Sequence, residues 1–159
     1  MAKVLVAYFS ASKDKVTEKL AKYFAEEICA DLFEIKPVEP YSEADLKWTN
    51  PISRCNREKI GKKDVPVEGA IEDISQYEYV FIGFPIWYGC APNVVNTFCQ
   101  AYDWTGISVN AFATSGGSGI GKTADKLRPY VAGAKEVNAE LFRDVSDLVK
   151  WANTLGINE

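Results

Sequence analysis

The chain of 159 residues contains no histidine, and this absence limits its chemistry more than any motif that is present. Without histidine the chain cannot form a Ser-His or Cys-His nucleophile pair, an imidazole metal site or the most common general base. Its four cysteines, Cys29, Cys55, Cys90 and Cys99, include no C-x-x-C pair, so a zinc or iron–sulfur site has little support. We therefore expect any chemistry in this chain to come from a bound cofactor.

Concentrated positive charge and long hydrophobic runs are also missing. The net charge is −4, with lysines and glutamates interspersed, which argues against a nucleic-acid partner. The first apolar run is already broken at Ser10, too early for a secretory signal or a membrane span, which predicts a cytosolic protein without a membrane partner. The length predicts one domain over 1–159. Cys29 and Cys99 lie in apolar helical patterns and are predicted to be small core residues.

Strands and helices are predicted to alternate along the chain. Continuous apolar runs predict buried strands at 4–9, 32–35, 79–84 and 109–113, with a weaker strand at 136–141. Apolar residues at helical spacing predict helices over 16–28, 92–102, 124–131 and 145–155, with Asp14 as the cap of the first. This alternation predicts an α/β fold with a parallel sheet covered by helices on both faces. The stretch at about 40–78 is irregular, apart from a short helix predicted around 43–48, and is predicted to be an insertion.

The loop Pro85-Ile86-Trp87-Tyr88-Gly89 directly follows the most apolar strand. A strand without polar alternation is buried on both faces and lies in the middle of a parallel sheet. Ligands bind at the carboxyl edge of such sheets. Two adjacent aromatic rings at that edge predict a platform for a flat ligand.

The segment Gly116–Thr123 matches the G-x-x-x-x-G-K-[ST] pattern of a phosphate-binding P-loop. The pattern begins late in the chain, and the best candidate strand ends in Gly83-Phe84-Pro85 without the Asp that would hold magnesium. A glycine-rich turn that lets backbone approach a flat ligand is the favoured interpretation. A P-loop nucleotide binder is the less favoured one.

The chain is similar to the flavodoxin-like family, in particular to its short bacterial flavoproteins. The resemblance rests on Val4–Ser12, on Gly83–Gly89 with Ala91-Pro92, and on Phe112–Gly121. It implies a doubly wound five-stranded parallel sheet of order 2-1-3-4-5, with helices on both faces. It also implies that three loops at the carboxyl edge hold flavin mononucleotide (FMN), and flavodoxin is itself a standard example of binding at such an edge.

The resemblance also implies a role for each loop. Ser10 and Ser12 would donate hydroxyl hydrogen bonds to the phosphate, and Trp87 and Tyr88 would cover the isoalloxazine ring. Gly89 would allow the backbone to change conformation beside the flavin. The third loop, Thr114–Gly117, would line the other edge of the ring with backbone donors. The full implied set of cofactor-binding residues is Ser10, Ala11, Ser12, Lys13, Asp14, Lys15, Val16, Pro85, Ile86, Trp87, Tyr88, Gly89, Thr114, Ser115, Gly116 and Gly117. The alternative is that Trp87 and Tyr88 are aromatics of the core or of an interface.

The first loop departs from the family pattern, which normally continues through a glycine and a second hydroxyl residue before the helix. Here Lys13-Asp14-Lys15-Val16 follows Ser12, and the loop is expected to be shortened, with lysines as point charges in place of directed donors. Two hypotheses follow. The chain is an FMN-binding electron-transfer protein, either a carrier for a redox partner protein or a small reductase acting on a small-molecule acceptor. Alternatively, it is a flavodoxin-like binding module with weakened or lost FMN binding.

Overall fold

The structure is a computed structural model that describes residues 3–10, 15–39, 41–42, 46, 54, 65–87, 90–115 and 119–158. The strands in these ranges are β1 (Val4–Tyr8), β2 (Asp31–Glu34), β3 (Lys36–Pro37), β4 (Val67–Glu68), β5 (Tyr79–Pro85), β6 (Ser108–Thr114) and β7 (Glu136–Leu141). The helices are α1 (Val16–Glu27), α2 (Asn93–Gln100), α3 (Thr123–Leu127) and α4 (Val145–Thr154), with 3-10 turns at Ile74–Gln76 and Arg128–Tyr130.

Five of these strands form one sheet in the order β2-β1-β5-β6-β7, and all neighbouring pairs are parallel. Counted along these five strands the order is 2-1-3-4-5, so the predicted flavodoxin-like α/β fold is confirmed. The strand order changes direction between β1 and β5. Loops that leave the carboxyl ends of these two strands therefore face a common crevice.

Apolar side chains bury both faces of the sheet, which is why its central strands show no polar alternation. On one face Phe24 of α1 lies edge-on to Phe81 and Phe112, at ring-centroid distances of 5.0 and 5.6 Å. On the other face Phe98 of α2 and the fully buried Trp104 belong to a second cluster. The central strands are therefore buried on both faces, whereas the edge strand β2 is largely exposed.

Two details of α1 correct the sequence prediction. The cap position is Lys15, which makes no side-chain hydrogen bond to the helix, and not Asp14, which lies outside the described residues. Cys29 is exposed, not a core residue, because the helix ends at Glu27. The backbone N–H of Ala30 donates to the Ala25 carbonyl at 2.9 Å, and Cys29 takes the left-handed conformation, with φ 54°, that this type of helix end requires. Cys99 is buried as predicted.

A small antiparallel ladder, which the sequence did not predict, joins residues just before the stretch at 40–78 to residues within it. Lys36 pairs with Glu68, and Pro37 pairs with Val67. The short helix predicted around 43–48 lies outside the described residues, apart from Leu46 in a single 3-10 position.

Among the described helices, none has the length and hydropathy to cross a membrane.

Candidate functional site

Three loops leave the carboxyl edge of the sheet side by side, after β1, β5 and β6. Their starts are joined by backbone hydrogen bonds: Phe9 N–H donates to the Gly83 carbonyl at 2.8 Å, and Ile86 N–H donates to the Thr114 carbonyl at 2.8 Å. The structure therefore brings together Ser10, Pro85, Ile86, Trp87, Thr114 and Ser115. The other predicted residues of these loops, Ala11, Ser12, Lys13, Asp14, Tyr88, Gly89, Gly116 and Gly117, lie outside the described residues.

The hydroxyl of Ser10 is buried and has no hydrogen-bond partner among the described residues. Leaving a buried polar group unsatisfied costs about 1–3 kcal/mol, so such atoms are rare and call for an explanation. Ser10 immediately follows the end of β1 and Phe9, at the crevice between β1 and β5. An acceptor from a bound molecule, such as a phosphate oxygen, would satisfy this hydroxyl.

The first turn of α1 begins after Lys15, one of the two lysines that are predicted to act as point charges beside the phosphate. Lys15 has φ 52°, a left-handed conformation that costs a non-glycine residue about 1–2 kcal/mol. Its ammonium lies 3.9 Å from Glu18 Oε2, and the Lys22 ammonium lies 3.9 Å from Glu18 Oε1. The neighbouring Val16 is exposed. Lys15 therefore forms an ion pair with a carboxylate of the helix that follows it.

Thr17 supplies a hydroxyl that the sequence prediction missed. It lies in the first turn of α1, is buried, and places its Oγ1 2.7 Å from Oγ1 of Thr114 at the end of β6. Thr17 lies within α1 (Val16–Glu27), so the prediction that the first loop lacks a second hydroxyl residue before the helix is unchanged. The pattern Ser12-Lys13-Asp14-Lys15-Val16-Thr17 contained this signal, two positions beyond Lys15. The contact also ties the first loop's helix to the third loop.

Trp87, the first aromatic of the predicted platform, is half-buried and belongs to a cluster of three rings. Its centroid lies 5.6 Å from that of Phe9 and 5.2 Å from that of Tyr41, with interplanar angles of 88° and 82°. Phe9 and Tyr41 also meet each other edge-on, at 5.8 Å. Such edge-on pairs add about 0.5–1.5 kcal/mol each beyond the area they bury. Trp87 is thus both a packed residue and a partly accessible one.

Two backbone hydrogen bonds join Trp87 to Cys90. Trp87 N–H donates to the Cys90 carbonyl at 3.0 Å, and Cys90 N–H donates to the Trp87 carbonyl at 3.2 Å. This pair of hydrogen bonds is an isolated antiparallel bridge. Trp87 is therefore connected to Cys90, shortly before α2 begins at Asn93.

A guanidinium group borders the aromatic cluster. The centre of the Arg54 guanidinium lies 4.0 Å from the Tyr41 ring centroid, and Arg54 Nη1 donates to the Glu39 carbonyl at 2.7 Å. A cation over an aromatic face at this distance is attracted by the ring quadrupole. Tyr41 and Arg54 both come from the stretch between β3 and β4, so part of the predicted insertion packs beside the second loop.

Acidic side chains near the first loop have local partners. Tyr8 donates a hydrogen bond to Glu18 Oε1 at 3.3 Å, and Lys36 lies 3.9 Å from Glu34. Burial raises the pKa of Tyr8 well above its usual range, and the nearby Glu34 and Glu18 carboxylates raise it further. Tyr8 therefore stays a neutral hydrogen-bond donor at neutral pH.

The P-loop-like segment uses its threonine locally. Thr123 is fully buried and its hydroxyl donates to the Ile120 carbonyl, while α3 is only five residues long. A P-loop would need this hydroxyl for magnesium. Gly116 and Gly117 lie outside the described residues, so the backbone of a phosphate cradle there stays a prediction. Within the described residues, no three Cys, Asp or Glu side chains are grouped closely enough to hold a metal ion.

A groove of about 450 Å³ lies away from these loops. It is lined by Arg128, Lys135, Glu136 and Asn138, among others, at the start of β7. Since all five strands are parallel, this is the amino edge of the sheet, opposite the three loops. It belongs to none of the predicted site elements.

Comparison with known proteins gives a family and several structural relatives. A family profile described as Flavodoxin matches residues 3–155. A candidate flavoprotein from Bacteroides eggerthii is 35% identical, with a TM-score of 0.90, and the match covers 99% of this chain and 100% of that one. A candidate flavoprotein from Bacteroides uniformis is 33% identical, with a TM-score of 0.86 over 96% of this chain and 98% of that one.

A more distant relative is a flavoprotein from Lactobacillus acidophilus, whose structure is a complex with FMN. It is 24% identical, with a TM-score of 0.70 over 96% of this chain and 99% of that one, and it shows a common fold. None of the curated proteins compared with the chain matches it.

Proposed function

The chain belongs to the flavodoxin family, and from this premise we propose that it binds FMN at the carboxyl edge of its sheet and transfers electrons. The observation that carries the proposal is the buried, unpartnered hydroxyl of Ser10, which lies in the loop that holds the cofactor phosphate in the resemblance. The Lactobacillus acidophilus protein, with the same fold, is known in complex with FMN.

Each end of the flavin has described residues that fit it. Ser10 would donate to the phosphate, and the N–H groups at the start of α1 would add partial positive charge. Thr17 and Thr114, bonded to each other at 2.7 Å, would hold the first and third loops at a fixed spacing. Trp87 would contact the ring system, with Ser115 on the side of the third loop. When bound, FMN would supply the redox chemistry, which the side chains of this protein do not provide.

The electron acceptor is proposed to be a redox partner protein or a small molecule, and not a nucleic acid or a membrane. The net charge of −4 gives weak electrostatic steering toward a partner. The described cysteines, Cys29, Cys90 and Cys99, form no disulfides, which fits a reducing compartment, so we propose that the protein works in the cytosol.

The experiment that tests the proposal is the visible absorption spectrum of freshly purified protein, followed by titration of the flavin-free protein with FMN. The expected result is a yellow protein, or one that becomes yellow with FMN, that releases FMN and not FAD on heating. A colourless protein whose own fluorescence is unchanged by excess FMN would contradict the proposal and would favour the alternative, a binding module that has lost its cofactor. The FMN-bound protein can then be reduced and mixed with a quinone or with acceptor proteins. Reoxidation by the quinone would favour a reductase, and reoxidation by an acceptor protein would favour a carrier.

A further inference from the structure

Two residues of the stretch between β3 and β4 reach the aromatic cluster at the second loop. The Tyr41 ring meets Trp87 edge-on at 5.2 Å, and the Arg54 guanidinium covers the Tyr41 ring at 4.0 Å. On its other side Arg54 donates to the Glu39 carbonyl at 2.7 Å. Arg54 is therefore fixed at two points, and Tyr41 lies between it and Trp87.

This arrangement limits where the Trp87 indole can go. Phe9, which is buried, contacts it at 5.6 Å, and Tyr41 contacts it at 5.2 Å. Both rings are nearly perpendicular to the indole, with interplanar angles of 88° and 82°. Phe9 is set by the sheet, since its N–H bonds to Gly83, whereas Tyr41 is set by the stack with Arg54. Tyr41 and Arg54 are thus the part of the support that comes from outside the five-stranded sheet.

We propose that Tyr41 and Arg54 are positioning residues of the flavin site, holding the Trp87 indole against the ring system and placing one positive charge beside it. The inference rests on the proposed function and deepens it, because it adds two residues from outside the three loops to the binding site. The ligand chemistry that the pair recognises is that of a planar aromatic ring that becomes anionic, as reduced flavin does on losing a proton.

The charge lies within electrostatic reach of the loop. The Arg54 guanidinium is at most about 9 Å from the Trp87 centroid, the sum of the two centroid distances, which is comparable to the Debye length of about 8 Å at physiological salt. A unit charge at this range changes the relative stability of neutral and anionic ligands about two- to tenfold, depending on the local dielectric constant. Arg54 should therefore favour the reduced flavin over the oxidised one.

The experiment uses the full chain and two matched sets of variants. Tyr41→Leu removes the ring, and Tyr41→Phe keeps it. Arg54→Met removes the charge, and Arg54→Lys keeps a cation without the planar stack. The controls are Tyr23→Leu, since Tyr23 is exposed on α1, and Arg128→Met, since Arg128 lies at the amino edge of the sheet. For each protein we would measure FMN and riboflavin affinity, the visible circular dichroism of bound flavin, and the midpoint potential by dithionite titration with a reference dye.

We expect Tyr41→Leu to weaken FMN and riboflavin binding alike, by about five- to tenfold, because the lost contact concerns the ring and not the phosphate. Tyr41→Phe should restore the parent affinity and the flavin dichroism. Arg54→Met should lower the midpoint potential by up to about 30 mV, which is the tenfold preference expressed for a two-electron couple. Arg54→Lys keeps the positive charge, so its midpoint potential should stay close to that of the parent protein. The Tyr23 and Arg128 variants should match the parent in all three measurements.

Two outcomes would overturn the inference, and they are distinct. If the parent binds FMN while the Tyr41 and Arg54 variants keep its affinities, dichroism and potential, the pair is only packing and the proposed function stands. If the parent binds no flavin, the proposed function fails and this inference fails with it. Should Tyr41→Leu not fold, Arg54→Met and Arg54→Lys still decide, because a difference in potential between them cannot come from packing alone.

Discussion

Replacing Ser10 by alanine is expected to weaken FMN binding without destabilising the flavin-free protein. In most folded proteins the loss of a buried hydroxyl destabilises, because a hydrogen bond is lost with it. Ser10 is different, since its Oγ is buried without a partner among the described residues. The substitution therefore removes a buried hydroxyl that does not stabilise the flavin-free protein. We propose that the same hydroxyl binds the phosphate when FMN is bound.

The magnitudes separate the two states clearly. A hydrogen bond to a charged group is worth about 1.5–3 kcal/mol, and each 1.4 kcal/mol is a factor of ten, so FMN affinity should fall about 10- to 100-fold. The flavin-free protein should be unchanged or stabilised by up to about 1 kcal/mol, because the cost of the unsatisfied hydroxyl is relieved. For a chain of this size that is an increase in Tm of up to about 2–4 °C.

A serine at the other end of the sheet provides the matched control. Ser108 is buried at the start of β6, where its hydroxyl donates to Glu136 and accepts from Asn110 Nδ2 at 3.0 Å. Ser108→Ala should destabilise the flavin-free protein by about 1–3 kcal/mol and leave FMN affinity unchanged. The assays are urea unfolding of both variants without flavin, and calorimetric titration with FMN and with riboflavin, which lacks the phosphate.

The reasoning would be refuted if Ser10→Ala destabilised the flavin-free protein as much as Ser108→Ala does and left FMN affinity intact. An equal loss of FMN and riboflavin affinity would also count against it, since the hydroxyl would then act on the ring and not on the phosphate.

Three further predictions concern the same loops. Replacing Trp87 and Tyr88 together by alanine should weaken binding of both flavins and shift the flavin absorption bands; a double variant that titrates like the parent would leave these aromatics to packing alone. Replacing Lys13 and Lys15 by alanine should reduce FMN affinity about two- to fivefold at low salt and less at high salt, with riboflavin affinity unchanged, because exposed charges are screened; a strong, salt-insensitive FMN preference that survives the change would show that fixed donors suffice. ATP with magnesium should be neither bound nor hydrolysed, and turnover abolished by Lys122→Ala would reverse that conclusion.

The sheet was predictable because its strands carry their own signal. Continuous apolar runs are typical of strands buried on both faces, and β1, β5 and β6 lie within one residue of the predicted limits. Their parallel arrangement follows from the alternation of strands and helices, and their order was implied by the family resemblance. The ladder of β3 and β4 carries no such signal, because two-residue strands about thirty positions apart leave no periodicity to detect.

Helix ends were less predictable than helix bodies. The apolar pattern continues past Glu27 to Cys29, and no glycine or asparagine marks the left-handed position that ends α1. Cys29 fills that position with φ 54° and is exposed as a result. Similarly, the left-handed Lys15 at the start of α1 gives no composition signal, since lysine seldom adopts this conformation.

The candidate site was predictable in its loops and not in its contacts. Motifs and the resemblance pointed to Ser10, Trp87 and Thr114, which the structure places at one edge of the sheet. The partners of these residues come from distant parts of the chain: Tyr41 beside Trp87, and Thr17 beside Thr114. Periodicity describes which face a residue occupies along one element, and it contains no information on which side chains from different elements meet.

The contacts between the loops explain why the altered first loop need not abolish a cofactor site. The sequence departs from the family pattern at positions 13–16, whereas the contacts that join the three loops involve residues outside that range. Backbone hydrogen bonds join Phe9 to Gly83 and Ile86 to Thr114, and a hydrogen bond between hydroxyl groups joins Thr17 to Thr114. Each loop is therefore connected to another one at its base. Thr114 takes part in two of these contacts and therefore couples the start of α1 to the second loop. A change in the first loop therefore alters the donors that we propose for the phosphate, while the sheet keeps the spacing of the three loops.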